Sequence, residues 1–149
     1  MAQWRNILFF LTRTGLGWLF FWAGITKVLN PAWSAAGYLD NAKTFAGFYH
    51  WVASPAILPV VNFVNAWGLT LLGISVILGV GMRISAPLGA LLMMLYYFPI
   101  LGFPYPNHHA FIVDEHIIYA LLLLLLSALR ESRVGGVGTW YKRLPAWMD

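Results

Sequence analysis

The stretch that decides the reading is Asp114-Glu115-His116, which heads the run IIYALLLLLLSAL over residues 117–129. In a chain made mostly of apolar runs this one reads as part of a membrane span, and ionisable side chains at its head are costly there unless they pair or perform a function.

Working outward, three more apolar runs are long enough for a bilayer, which takes about 20 helical residues to cross. The spans are expected at 7–28, 57–80, 84–101 and 110–129, and Pro31, Pro55, Pro104 and Pro106 fall between them, where a missing N–H does no harm. Asn107 is the candidate N-cap of the fourth span. The first span is too long for the apolar core of a signal peptide and lacks a small-x-small cleavage site, so it is read as a mature helix. Composition agrees with this class. Of the residues, 60% are hydrophobic and 9% charged, against about 25% charged in soluble domains. Mean hydropathy is +0.72. The expected fold is all-α: an integral membrane four-helix bundle, up-down-up-down, filling residues 1–149 as a single domain.

The formal net charge of +4 comes from basic residues scattered over loops and the C-terminal tail. They form no patch for nucleic acid, and they read instead as topology signals. Arg5, Arg13, Arg83, Arg130, Arg133, Lys142 and Arg143 fall toward one face, and only Lys27 and Lys43 toward the other. The positive-inside rule then predicts a multi-pass cell-membrane protein with both termini cytoplasmic. The segment 30–54 faces outward, and its aromatics, mixed with Asp40, Asn41, Lys43 and His50, suggest a short interfacial helix able to act as a lid. The alternative is that these aromatics only anchor a loop at the headgroup layer. With no cysteine, the chain holds no disulfide, thiolate metal site or dithiol relay. Gly15, Gly17, Gly24, Gly68, Gly73, Gly79 and Gly89 suggest close backbone approach between helices.

At about 1.5 Å per residue, polar groups from all four spans reach one level near the outer surface. The first span brings Trp18, Trp22 and Lys27 there, the second Asn62 and Asn65, the third Tyr96 and Tyr97, and the fourth Asp114, Glu115, His116 and Tyr119. Unpartnered, each would cost several kcal/mol, so mutual contact is expected, with Lys27 paired to Asp114 or Glu115. One reading is a polar network that only sets helix register. The other is a head-group site: His116, Glu115 and Asp114 exchange protons, Asn62 and Asn65 donate hydrogen bonds, and Trp18, Trp22, Tyr96 and Tyr97 form flat walls. Such a pocket suits a quinone. A metal site is not expected, because His108, His109, Asp114, Glu115 and His116 lack the spacing that aligns ligands on one helical face. Arg13 is read as snorkelling or capping carbonyls at the inner end, with Glu131 a candidate partner.

The stretches Gly15-Leu16-Gly17-Trp18 through Thr26-Lys27, Trp67-Gly68-Leu69-Thr70 through Met82-Arg83, and Val113-Asp114-Glu115-His116 through Leu121 resemble the helix signatures of the DoxX/DoxD-like membrane proteins. The resemblance implies a four-helix membrane bundle, with Arg13, Lys27, Asp114 and His116 as family-matching polar positions. One branch of that family is the membrane subunit of thiosulfate:quinone oxidoreductase. On that basis the expectation is a quinone-interacting subunit working with a redox partner in membrane lipid, self-association remaining open. The alternatives are a non-enzymatic anchor or assembly scaffold for such a partner, and a small-molecule carrier.

Overall fold

The structure, a computed structural model, describes residues 2–129. Glu131 and the tail residues Arg130, Arg133, Lys142 and Arg143 lie outside the described residues. Six helices follow in order: α1 (Ala2–Val28), α2 (Ala36–Asp40), α3 (Ala46–Val52), α4 (Leu58–Leu78), α5 (Met82–Ile100) and α6 (Glu115–Ala128). The described chain is all-α in its regular elements, with only isolated bridges, such as Gly102 with Tyr105, in the loop after α5. Three helices, α1, α4 and α5, are long and apolar enough to cross a membrane.

The fourth predicted span differs from the structure. Its helix begins at Glu115 rather than Ala110, because the Asp114 side chain accepts from the His116 and Ile117 backbone N–H groups and caps the helix there. At about 1.5 Å per residue the described part of α6 is roughly 21 Å long, short of a hydrocarbon core of about 30 Å. Asn107 is not the cap: its Oδ1 accepts from the His109 N–H at 2.9 Å and closes a local turn. The single interfacial helix expected in the segment 30–54 is two short helices, α2 and α3, with Phe45 between them at φ 55°.

Two antiparallel pairs organise the packing, α1 with α4 and α5 with α6. Small residues allow the first. A Cβ at Gly24 would collide with the Thr70 backbone, and one at Gly73 with the Phe21 backbone. Gly17 faces the Ile77 backbone in the same way, whereas Gly89 of α5 faces only the side-chain ends of Leu72 and Leu123. Gly15 and Gly68 have nothing within 4 Å of that position, so the close-approach reading does not extend to them. Gly79 serves a different purpose. With Gly81 it adopts φ 69°, which glycine accepts without penalty, and the chain reverses from α4 into α5 within three residues, 79–81.

Phe20, Leu69, Val76, Met82 and Leu123 form the centre of the core. Outward rows such as Val60, Phe63, Val64, Trp67 and Leu71 on α4 stay exposed. Such a row on a helix of spanning length matches a hydrocarbon surrounding. Tyr49 anchors α3 to the long helices, donating to the Leu95 carbonyl at 3.1 Å, and a second small core forms around it with Ala35, Leu39 and Ala42.

Candidate functional site

Near the end of the packing that bears α2 and α3, a cavity of about 530 Å³ is lined by Lys27 of α1, Asn65 of α4, Tyr96 of α5, Glu115 and His116 of α6, and Trp33 and Tyr38 of the covering segment. Ionisable and aromatic groups from distant parts of the chain therefore share one wall. The Lys27 ammonium donates to Asn65 Oδ1 at 2.8 Å and to the Tyr96 hydroxyl at 3.3 Å. It also lies 4.7 Å from the Trp33 ring centroid and 5.4 Å from that of Tyr96, so aromatic faces offset part of its desolvation. The expected Lys27 ion pair is not formed with either carboxylate. Asp114 is occupied by the α6 cap, and the amide oxygen of Asn65, buried beside Lys27, accepts the hydrogen bond from the ammonium instead.

Asp114 and Glu115 divide their roles. The Asp114 side chain is 0% exposed, and its Oδ2 lies 2.7 Å from His116 Nδ1 while Oδ1 accepts from the α6 backbone. This orients the imidazole and leaves Nε2 as the nitrogen that Asp114 does not engage. The His116 ring meets the Tyr96 ring edge-on at 5.9 Å. Glu115, one residue on and about 100° around the helix, is exposed and lines the cavity.

The loop before Asp114 is held by its own bonds. Ile112, a β-branched residue at φ 59°, is in a conformation that costs of order 1–3 kcal/mol. The Ile112 N–H donates to the Pro104 carbonyl at 2.9 Å, and its carbonyl accepts from the Tyr97 hydroxyl. The Tyr38 hydroxyl donates to the Tyr96 carbonyl. Burial, with Tyr49 and the carboxylates of Asp114 and Glu115 adding to it, pushes the Tyr38 phenol above its usual range and keeps it a donor.

The DoxX family profile matches residues 8–101. The chain belongs to the DoxX family. No curated protein and no solved structure matches it. The DoxX match takes in Lys27, Asn65 and Tyr96 but stops short of Asp114, Glu115 and His116.

Not every DoxX residue singled out from the sequence reaches the cavity. Trp18 and Trp22 stack on each other along the outside of α1, 55% and 57% exposed, because the opposite face of that helix is taken by α4. Asn62 faces the covering segment, accepting from the Ala35 N–H at 2.9 Å. Tyr97 is buried beneath the loop that it bonds, and Tyr119 packs edge-on against Phe20 in the core. Arg13 does not snorkel: it is 2% exposed, with its guanidinium 5.9 Å from the Phe10 ring centroid. Trp33 and Ser34, which the sequence reading did not single out, do line the cavity. They lie in an irregular connection with no periodicity, so no sequence signal marked the direction of either side chain.

Proposed function

We propose that this DoxX-family protein is a membrane four-helix bundle, up-down-up-down with both termini cytoplasmic, whose outward cavity takes the head group of a lipid-soluble quinone. It would act as a quinone-interacting subunit of an oxidoreductase of the thiosulfate:quinone type. One observation carries the reading: Lys27, Asn65, Tyr96, Glu115 and His116 line a single cavity of about 530 Å³, within the range of about 300–1,000 Å³ usual for small-molecule sites.

The donor set fits a flat ring bearing carbonyl oxygens. The Lys27 ammonium supplies a donor, the His116 Nε2 supplies a second in the imidazolium form, and Trp33, Tyr38 and Tyr96 supply aromatic faces. Reduction of a quinone to its quinol takes two electrons and two protons. A cofactor or a redox partner supplies the electrons, since this chain has no cysteine to form a dithiol relay. His116, whose Nδ1–H is held by the Asp114 carboxylate, gives a proton through Nε2 from its imidazolium form, exposed Glu115 returns one from the aqueous side, and a second such cycle supplies the second proton. The second reading, an anchor or assembly scaffold for that partner, draws support from the internal satisfaction of Lys27 by Asn65 and of Asp114 by the α6 cap.

Lys27→Met and His116→Ala, studied in lipid nanodiscs with a short-chain soluble quinone, separate the two. The site reading expects binding weakened about tenfold or more with little change in melting temperature. Lower melting temperatures with unchanged affinity of the folded fraction would establish the scaffold reading instead.

A further inference from the structure

We infer that the hydrocarbon tail of the quinone lies in a second, apolar cavity of about 280 Å³ that adjoins the polar one across a shared wall and opens to the membrane beside α4. The inference rests on the quinone reading above. Ala35, Tyr38, Asn65 and Tyr96 line both cavities, so the two share a wall. Beyond that shared wall the chemistry changes from Lys27, Glu115 and His116 to side chains such as Phe48, Val61, Leu92 and Leu95.

The apolar cavity fills the space where α4 and α5 are packed less extensively than the α1–α4 and α5–α6 pairs, and α3 covers it through Tyr49. Its mouth is lined by Val60 and Val64, which are 62% and 57% exposed. Both stand on a helix of membrane-spanning length, so the surrounding phase is hydrocarbon. Polar and apolar chambers side by side, the second open to lipid, match an amphiphile with a polar ring and an apolar tail. A tail passing from lipid into such a cavity gains little affinity, since both phases are apolar. The cavity instead keeps the tail out of water while the head sits against Lys27 and His116 on the far side of the shared wall, at which the Tyr38 hydroxyl donates to the Tyr96 carbonyl.

Val64→Trp, which narrows the mouth, tests this in nanodiscs with two probes: a tail-less benzoquinone and the same head carrying a prenyl tail. Affinity for the tailed probe should fall about tenfold or more, the effect of exposing as few as two methylenes, and affinity for the tail-less probe should stay within about twofold. Equal effects on both probes, or none on either, overturn the tail assignment. If the tail-less probe remains sensitive to Lys27→Met in that case, the head-group reading survives alone. If wild-type protein binds neither probe, the head-group reading fails and the tail assignment falls with it.

A photoreactive diazirine on the tail reads the same geometry in wild-type protein, without dependence on the folding of the variant. Labelled peptides from α3 and α4 support the inference, and labels confined to α1 or α6 overturn it. Labelling of α3 and α4 by a diazirine phospholipid that the tailed quinone fails to displace makes the occupant a lipid chain and also overturns it.

Discussion

Asp114 performs two tasks with one carboxylate, ending the loop as the N-cap of α6 and orienting the His116 ring, and the two can be separated by substitution. Asparagine is a good N-cap, whereas alanine leaves the first helical N–H groups without a partner. Asp114→Ala should therefore lower stability by about 1–2 kcal/mol and Asp114→Asn by much less, read from thermal unfolding in detergent. Both remove the carboxylate partner of His116, so both should weaken quinone binding. Equal stability losses for the two variants would show that the cap contributes little. Lys27 illustrates why residue identity alone did not settle its partner. A carboxylate is the usual partner of a buried ammonium, and two carboxylates lie at the right depth. The amide of Asn65 at 2.8 Å and two aromatic faces satisfy it instead, an outcome that depends on which side chains were already committed elsewhere.

Between elements, the contact of α1 with α4 depends on glycines at which a methyl group would strike backbone, which cannot rotate away as a side chain can. Gly73→Ala should cost about 1–3 kcal/mol, as overpacking of a close contact does. Gly68→Ala, where nothing lies within 4 Å, should be neutral or stabilise by about 0.5–1 kcal/mol through helix propensity. Unfolding titrations of the two variants check the contrast, and similar losses for both would mean that the α1–α4 approach has room for a methyl group at Gly73. The sequence alone does not sort these glycines. Which glycines face a partner depends on helix rotation, and every face of these helices is apolar enough that hydropathy sets no rotation.

For the whole molecule, the absence of cysteine makes orientation directly measurable. A single cysteine introduced at Asn107, an exposed position on the rim of the polar cavity, should react with a membrane-impermeant maleimide on intact cells. Reaction only after permeabilisation would invert the proposed topology and place the cavity on the cytoplasmic side. Much of the architecture was legible beforehand. Long, mostly apolar runs leave a chain in lipid few choices other than helices, because backbone N–H and C=O groups have no other partners there. The depth at which Lys27, Asn65, Tyr96 and His116 come together was legible too, since a helix rises by a constant amount per residue. The sequence by itself thus determined the class, three of the long helices and the level at which the polar groups meet. Only the tertiary structure decided which of them share a cavity, turning Trp18 and Trp22 outward, sending Asn62, Tyr97 and Tyr119 to other partners and bringing in Trp33 from an irregular connection. The reason is physical: depth along a helix follows from counting residues, but the direction a side chain takes follows from which faces the neighbouring helices occupy, and those contacts join positions far apart in the chain.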